Sequence, residues 1–488
     1  MTAVTSWVRG ALLAGALVAG MGVPATALAE EPRGETLDWE TGAGQSYLVP
    51  AAEIAGFLFG LNQFNRNLID RKEYGSDGHS IWRNLQTVPQ FDRDPFSVNQ
   101  LGHPYQGSVY YGFARSAGLD YWRSLAYTIA GSYAWEIAGE TTRPSANDHI
   151  ATGIGGSFAG EALFRMASLL LEGGGETPGF WREVGAAVIS PSTGFNRLLF
   201  GERFRPVFPS RDPAVYLRLR IGATVTTNVT NEAPSLSAKR QEGSADFYMT
   251  YGLPGKPGYR YTRPFDFFLF ELTAVPNATS AANAIENVTI RGLLLGRDYD
   301  VGDDYRGVWG LFGGYEYLSP QVFRVASTNL ALGTVAQWWL TRTLALQGMA
   351  FAGVGFGAAG TVGDKEERDY RYGVIPEALL SVRLIAGELA MLDASGRQYH
   401  VIGTGSKGGP FVETTGREVI NRGTVGLTVR LFGPHALGLH YVVSSRSATP
   451  TSRRELHQTV ETVTLSYNFL GHSRFGAVEW RPGETPAR

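Results

Sequence analysis

The sequence predicts an α+β protein in which an N-terminal helical domain precedes an antiparallel transmembrane β-barrel of about 12 strands. Two observations predict this class. Apolar residues recur at helical spacing up to about residue 205, whereas beyond Pro213 they alternate with polar residues as far as residue 470. A soluble β-sandwich is the alternative, but soluble sheets seldom keep one polar and one apolar face through so many long strands.

Residues 1–29 have the features of a secretory signal peptide: Arg9, an apolar run to about Val23, and the small residues Ala27-Leu28-Ala29. The predicted domains are therefore a signal peptide at 1–29, a helical domain at 30–205, a barrel at 214–470 and a C-terminal tail at 471–488. No later stretch offers about 18 uninterrupted apolar residues, which argues against a helical anchor. We expect an outer-membrane protein whose helical domain is periplasmic or within the barrel lumen.

Composition limits the partners and the chemistry. The 43 Lys and Arg residues nearly balance the 45 Asp and Glu residues, so no nucleic-acid partner is expected. The chain has no cysteine, which excludes disulfides, thiolate metal sites and a cysteine nucleophile. The expected partners are outer-membrane lipid and an envelope protein.

Proline residues and the spacing of apolar residues set the limits of the predicted helices. Apolar residues from Ile54 to Leu68 predict a first helix, and Pro104 suits the start of a second, which should end near Ser116. Further helices are predicted over about 119–139, 145–171 and 181–189. Gly156 and Gly160, four residues apart, should let another helix approach closely.

Polar side chains concentrate between Asp92 and Arg165. Glu136 and Glu140 are four residues apart on one helix face, as paired carboxylates for acid–base chemistry require, and Asp148 and His149 complete the catalytic candidates. Helix capping and a solvated helix end are the structural alternatives. The histidine spacing does not fit H-E-x-x-H, so no metal site is predicted, and no cofactor is assigned.

A second group of residues is a candidate for ligand binding. Arg115 follows Tyr110 and could present its guanidinium to a phosphate or carboxylate, as in a lipid head group. A buried structural arginine paired with a glutamate is the alternative. The ligand-binding candidates are Asn99, His103, Tyr110, Arg115 and Glu161.

Three runs in this region carry a family resemblance: HPYQGSVYYGFARSAG, GSYAWEIAGE and PSANDHIATGIGGSFAGEALFR. They resemble an uncharacterised family of Gram-negative cell-envelope proteins, a domain of unknown function, over about residues 50–171. The resemblance implies an exported envelope protein with this helical module. It implies no activity, substrate or catalytic residue.

Strict alternation predicts the barrel strands, near 214–227, 245–253, 265–275, 286–298, 304–317, 321–340, 342–358, 371–385, 387–402, 417–432, 435–447 and 457–470. Five arginines should point inward: Arg218, Arg220, Arg291, Arg383 and Arg430. His440 and Ser444 share the inward face, but no asparagine is spaced nearby to complete a phospholipase-like site. The aromatic girdles at the membrane interfaces are predicted to include Trp309, Tyr315, Tyr317, Trp338 and Trp339.

These observations favour an outer-membrane β-barrel whose helical module plugs, gates or binds a lipid or envelope ligand. The alternative is an envelope hydrolase that acts on lipid or cell-wall substrate through the helical-domain carboxylates and histidine. A structural scaffold is a third possibility. Whether the protein is an enzyme is left open by the sequence.

Overall fold

The computed structural model describes residues 35–480 except 93, 176, 232–240, 276–283, 363–366, 404–415, 451–454 and 473. The signal peptide predicted at 1–29 lies outside the described residues. The chain divides into two compact units, Met1–Ser210 and Arg211–Arg488. We call them the helical unit and the barrel unit and describe each by itself.

The helical unit is built from α-helices joined by short connections. They are α1 (Leu48–Leu68), α2 (Gly78–Leu85), α3 (His103–Ser116), α4 (Tyr121–Ala138), α5 (Ala146–Asp148), α6 (Gly156–Glu172), α7 (Phe180–Ile189) and α8 (Pro191–Leu199). Side-chain caps explain several helix starts, since Asp77 accepts from the Ser80 amide at 2.8 Å and Asp120 accepts from the Arg123 amide at 2.9 Å. Two π-helical segments, Val98–Gly102 and His149–Gly155, lead directly into α3 and α6. The sequence predicts neither these segments nor α2 and α8.

Helix α3 lies at the centre of the helical unit and is buried on nearly every side. Glycines make its contact with the following helical run possible. A Cβ added at Gly107 would lie 1.9 Å from the Thr152 carbonyl oxygen, and one at Gly156 would lie 2.6 Å from the Gly107 Cα. One at Gly160 would lie 2.6 Å from the Tyr111 Cβ. The predicted close approach at Gly156 and Gly160 is confirmed.

The run Ala146–Glu172 is long and apolar enough to cross a membrane, but 78% of its most apolar window is buried inside the structure. Its burial among α3, α4 and α7 is that of a core helix. An aromatic core containing Phe57, Tyr110, Phe113 and Trp135 completes the packing of the unit.

The barrel unit contains a closed antiparallel ring of twelve strands among the described residues, each paired with its neighbour in sequence, and β1 with β12. The strands are β1 (Val215–Asn231), β2 (Gln241–Tyr251), β3 (Phe268–Ala274), β4 (Ile285–Val301), β5 (Tyr305–Leu318), β6 (Phe323–Trp339), β7 (Leu344–Thr361), β8 (Tyr370–Ala386), β9 (Ala390–Gly403), β10 (Gly416–Phe432), β11 (His435–Pro450) and β12 (Leu456–Leu470). Arg220 opposite Asn468 and Val225 opposite Val463 close the ring. The predicted fold class is confirmed.

Alternation sorts the strand side chains by face. On β12, Leu465 and Phe469 are exposed while Ser466 and Asn468 are buried inside the ring. The alternation of faces also corrects one residue of the predicted aromatic girdle. Trp309 and Trp338 are about half exposed, but Trp339 is buried and points inward, because neighbouring residues on a strand face opposite sides.

Tyr315 and Tyr317 are also corrected as girdle members. They lie on the same face of β5 as Trp309, yet both side chains are buried. Neither is exposed in the way that a residue at a membrane interface requires.

The barrel interior is layered along its axis. A packed apolar layer that includes Tyr216, Phe312 and Trp339 lies at the end where the chain enters and leaves the ring, here called the terminal end. A second apolar layer, with Phe323 and Ile375, lies towards the opposite end. Between them, charged and hydroxyl side chains surround a cavity of about 110 Å³, here called the chamber.

The inward arginines predicted from the sequence occupy these layers. Arg218 and Arg383 are buried and line the chamber together with Arg220. Arg291 is buried beside Glu316 and Glu377. Arg430 lies near the rim, where its guanidinium donates to the His472 carbonyl at 3.2 Å.

The C-terminal tail folds back into the terminal end of the barrel. Phe475, Ala477 and Val478 are buried within the apolar layer of that end. The Val478 carbonyl accepts from Gln337 Nε2 at 2.7 Å and from Trp339 Nε1 at 3.0 Å, and its amide donates to Gln337 Oε1 at 2.8 Å. A part of the chain beyond the last strand therefore fills one end of the lumen.

Candidate functional site

The polar residues of the helical unit are brought together by a short contact between two connections. The Gln90 amide donates to the Pro144 carbonyl at 2.9 Å, and the Ala146 amide donates to the Gln90 carbonyl at 2.8 Å. This pairing sets Asp92 beside Asn147, whose Oδ1 accepts from the Asp92 amide at 3.0 Å. The contact spans 55 positions of the sequence, so no local pattern predicts it.

Asp92 and Asp148 form the centre of a buried hydrogen-bonded group. Asp92 Oδ1 accepts from Asn99 at 2.7 Å and from Asn147 at 2.8 Å. Asn147 also donates to Asp148 Oδ1 at 2.8 Å, and His103 Nε2 lies 3.5 Å from Asp148 Oδ2. We call these five residues the Asp92–Asp148 cluster.

Burial controls the protonation of this cluster. It raises the pKa of Asp148 to about 7. Burial, with the charge of Asp148 added, also raises the pKa of Asp92 to about 7. Burial lowers the pKa of His103, which favours a neutral imidazole. The two aspartates therefore bind protons near neutral pH, and the pair titrates as a unit.

Glu136 and Glu140 lie beside the cluster and share a helix, but they serve different partners. Glu136 Oε2 accepts from the Ser145 amide at 2.7 Å, at the N-cap of α5. Glu140 accepts from Trp135 Nε1 at 2.9 Å and from the Thr142 hydroxyl at 2.9 Å. The pKa of each carboxyl is raised well above its usual range by burial and by neighbouring carboxylates.

No arginine or lysine pairs with Asp92, Glu136, Glu140 or Asp148 within the described part of the chain. These carboxyls are satisfied by hydrogen-bond donors and by bound protons. Such an arrangement can hold and exchange protons. It also fixes the connection from Pro144 to Asp148 against α4.

His149, the fourth catalytic candidate, takes a different position. Its ring stacks on Tyr133 with centroids 3.8 Å apart, and its Nδ1 lies 3.2 Å from the Ser132 hydroxyl. Burial lowers its pKa. No hydrogen bond among those described joins His149 to the four carboxyls, so it is anchored to α4 rather than to the cluster.

Arg115 and Glu161 pair with each other in a second buried group. Arg115 Nε donates to Glu161 Oε2 at 2.9 Å, and Arg165 Nε donates to Glu161 Oε1 at 2.7 Å. The Tyr111 hydroxyl adds a third donor at 2.8 Å. Burial raises the pKa of Glu161, but the two guanidiniums lower it by more, so it lies below its usual range.

Aromatic rings enclose this ion pair. The Arg115 guanidinium lies 4.7 Å from the Phe164 ring centroid and 4.5 Å from that of Phe208. The arrangement matches the structural alternative for Arg115 that the sequence left open. Arg165 was not among the candidates, although its position four residues after Glu161 on one helix is a usable signal.

The remaining candidates divide between these groups and the core. Asn99 and His103 belong to the Asp92–Asp148 cluster, whereas Tyr110 is fully buried in the aromatic core and accepts from Gln106. Asn147, which joins the two aspartates, was not predicted. Both π-helical segments border the cluster, a setting in which such segments are frequent at functional sites. The described residues contain no group of three or more His, Asp or Glu side chains arranged to hold a metal ion.

Comparison with solved structures returns barrel proteins of low identity. The chain is similar to the NanC porin (9% identity, 51% of this chain, 98% of that chain, TM-score 0.26). It is also similar to an outer membrane channel from Pseudomonas putida F1 (11%, 53%, 96%, 0.27) and to the Pseudomonas putida toluene transporter TodX (9%, 54%, 90%, 0.22). TM-scores this low carry no argument about function.

Comparison with curated proteins finds no match. Comparison with family models finds one match, to a domain of unknown function, and it covers both buried polar groups of the helical unit. The resemblance predicted from the sequence is confirmed, with limits that lie further along the chain than 50–171. Residues 88–192 match the family described as Domain of unknown function (DUF3943).

Proposed function

We propose that this protein is an outer-membrane β-barrel that admits small polar solutes to its lumen, and that its C-terminal tail controls access. One observation carries the proposal. The polar chamber lies inside a closed ring, and the tail beyond the last strand is hydrogen-bonded across the terminal end of that ring. A tail can leave such a position without breaking any strand pairing.

The outer face of the ring supports a membrane location. Large apolar side chains are exposed on six of the strands, β1, β4, β6, β8, β11 and β12: Ile221, Leu295, Leu332, Leu380, Leu439 and Leu465. In water this exposure would be unfavourable, whereas hydrocarbon lipid is its natural environment.

The connections support an orientation. At the terminal end, four of them are short, at 302–304, 340–343, 387–389 and 433–434. The fifth at that end, 252–267, is longer, and at the opposite end twelve residues separate the end of β9 at Gly403 from the start of β10 at Gly416. Outer-membrane barrels have short turns on the periplasmic side, so the tail would close the lumen from the periplasm.

For the helical unit, we propose a membrane-binding role through α7. Phe180, Trp181 and Val188 of this helix are strongly exposed, and Trp and Phe are favoured at lipid interfaces. Quenching of Trp181 fluorescence by brominated lipid tests this, with Trp181→Phe as the reference. Equal Trp181 fluorescence in vesicles of brominated and of unbrominated lipid would contradict it.

A hydrolase remains the second proposal, through the Asp92–Asp148 cluster and its two neighbouring glutamates. It is the weaker one because Glu136, Glu140 and Asp148 are buried and their oxygens are occupied by donors from the same unit. A substrate would have to displace those contacts before reaching the carboxyls.

The tail proposal is tested by thiol labelling, since the chain has no cysteine of its own. Thr464→Cys places a thiol in the chamber, and the neighbouring Leu465→Cys places one on the outer face. Deletion of 471–488 should speed labelling at 464 by about tenfold or more, in keeping with removal of a bound occluding segment. Labelling at 465 should not change.

A point substitution gives a second test. Gln337→Ala removes the side chain that donates to the Val478 carbonyl and accepts from the Val478 amide, so it should speed labelling at Thr464→Cys in the same direction as the deletion. A shift in mobility between boiled and unboiled samples on SDS–polyacrylamide gels, here called heat-modifiable migration, confirms that each variant is a folded barrel. A folded, tail-deleted barrel whose chamber thiol reacts no faster than in the full chain would overturn the proposal.

A further inference from the structure

The chamber contains more buried cations than anions. Its arginines are Arg218, Arg220, Arg383, Arg397 and Arg422. Its carboxylates are Asp246, Glu271, Glu286 and Asp393. With histidine neutral, the difference, five minus four, is one positive charge among the side chains that line the chamber. Buried charge without a counter-charge is unfavourable.

Most of these arginines are neutralised by a neighbour. Arg220 lies 2.9 Å from Asp246, Arg397 lies 2.7 Å from Glu271, and Arg422 lies 3.2 Å from Glu286. Arg218 contacts Asp246 at 3.2 Å and approaches Asp393 only to 3.8 Å. Its Nε atom has no hydrogen-bond acceptor among the described residues.

Arg383 is different, because it pairs with no carboxylate among the described residues. Its side chain is 8% exposed, and its Nε atom has no acceptor. Its guanidinium lies over the rings of Tyr216 and Tyr248, and its one hydrogen bond is a long contact of 3.5 Å with Gln347 Oε1. Arg218 also lies over Tyr248, at 5.3 Å, so the two guanidiniums border the same part of the chamber.

His440 adds a second unsatisfied group. Its side chain is 6% exposed, and neither ring nitrogen has a hydrogen-bond partner in the described part of the chain. Strand register places Arg383, Asp393, Gly426 and His440 opposite one another on successive strands β8 to β11. A Cβ at Gly426 would lie 2.3 Å from the His440 ring, so only glycine leaves this ring its place at the chamber wall.

We infer that the chamber is a binding site for one compact oxyanion, a carboxylate or a phosphate, held by Arg383 and Arg218 with His440 as a further donor. A monoanion would balance the excess charge of the chamber. A cavity of about 110 Å³ has room for a group of this size. Asp393 would lie on the edge of the site and disfavour ligands of higher charge.

The same arginine links the site to the tail. Gln347, whose Oε1 accepts from Arg383, donates through Nε2 to the Gly476 carbonyl at 2.8 Å and to Gln337 Oε1 at 2.9 Å. Gln337 in turn holds Val478. An oxyanion that draws Arg383 into the chamber removes a side-chain donor from the Gln347 amide oxygen. This link between the anion site and the tail rests on the proposed function, in which the tail controls entry of solutes to the lumen. It adds that the solute is a small oxyanion.

Equilibrium dialysis of the full-length protein in detergent micelles, with phosphate or acetate as probe and chloride at matched ionic strength, tests the site. Wild-type protein should bind one probe anion per chain saturably. Arg383→Met should weaken binding about tenfold or more, and Arg383→Lys by less, because it keeps the charge but loses the planar fork. Arg260→Gln, at an exposed arginine outside the chamber, should bind like wild type.

Should Arg383→Met fail to fold, Arg383→Lys and His440→Gln carry the test, each with an expected loss of about threefold. No saturable binding beyond that in chloride, or unchanged affinity in Arg383→Met, would overturn the inference. Phosphate binding without acetate binding would assign the site to phosphates, and the reverse would assign it to carboxylates. If the chamber thiol of a tail-deleted barrel reacts rapidly but the protein binds neither anion, the anion site is contradicted and the proposed function is not. If the protein binds an anion but deletion of the tail does not change thiol labelling, the proposed function is contradicted and the anion site is not.

Discussion

The two units of this protein bury charged side chains with opposite imbalances. In the helical unit, four carboxyls lie together with no arginine or lysine beside them in the described residues, and their pKa values are raised. In the barrel unit, arginines outnumber carboxylates around the chamber, and no carboxylate among the residues that the structure describes pairs with Arg383. An excess of buried acid can be neutralised by protons. Arginine side chains stay protonated, so an excess of buried arginines can be neutralised only by an anion.

The helical unit also contains its own reference for a balanced charge. Glu161 lies between Arg115 and Arg165 and is ionised, with a pKa below its usual range. The difference between Glu161 and Glu136 is therefore one of partners rather than of burial, since both are almost inaccessible to water.

The largest effect is expected where a balanced pair is broken. Glu161→Ala leaves two buried guanidiniums without a counter-ion and should lower the free energy of unfolding by roughly 3–5 kcal/mol. Arg123→Ala breaks an exposed pair with Asp120 in the same unit and should change it by less than about 1 kcal/mol. Urea unfolding of the micelle-bound protein, followed by helical circular dichroism, measures both. Equal losses in the two variants would contradict the comparison.

The pH dependence of the helical unit should show its excess of acid. The pKa values of Asp92 and Asp148 are raised in the folded state, so the folded state holds protons that the unfolded chain releases. Their contribution to stability is fully present below the unfolded pKa of 3.8 and is lost as pH rises through about 7. Between about pH 5 and about pH 8, the free energy of unfolding should fall on the order of 2 kcal/mol.

Asp148→Asn supplies the control for this titration. It removes one of the two coupled groups and should flatten the dependence, because the asparagine has no proton to lose. A slope as steep as that of wild type would show that other groups carry the effect.

A smaller effect is expected in the barrel. Asp246→Asn removes the carboxylate that Arg218 and Arg220 share, but the chamber has room for water or an anion to replace it. The free energy of unfolding should fall by roughly 1–2 kcal/mol, and added phosphate should recover part of the loss. Urea-dependent loss of heat-modifiable migration reports it. A loss as large as that in Glu161→Ala would remove the distinction between the two units.

The smallest effect is expected for Glu136→Gln at neutral pH. A protonated glutamic acid and a glutamine have similar shape and charge, and the amide oxygen can still accept from the Ser145 amide. The free energy of unfolding should change by less than about 1 kcal/mol. Thermal unfolding compared at neutral pH measures it, and a loss of several kcal/mol would mean that Glu136 is ionised in the folded protein.

The sequence predicts the barrel better than the helical unit because strands follow from a local pattern, whereas the polar groups of the helical unit depend on contacts between residues distant in the sequence. Period-two alternation is local, so the strand from Val215 and the one ending at Leu470 are both evident in the sequence. The tail has no such period, and its partners Gln337 and Gln347 lie more than a hundred residues away, so its inward fold could not be predicted.

In the helical unit, proline and capping residues mark α3 and α5, but the cluster depends on contacts without a local signal. Asn147 donates to Asp92 across 55 positions of the sequence, and the two π-helical segments border that contact. The sequence left two readings of Arg115 open because a guanidinium can pair with a ligand or with a glutamate. The choice required the position of Glu161.

The docking of the tail against Gln337 and Gln347 sets an order on assembly. Gln337 and Gln347 are neighbours on β6 and β7, whereas the tail begins at the junction of β12 and β1, where the Gly471 amide donates to the Leu217 carbonyl at 2.7 Å. The tail therefore joins opposite sides of the ring, and its two attachment points take their observed separation only when the ring is closed. An unfinished ring has no interior to occlude, so tail protection from proteolysis would distinguish completed barrels from stalled ones.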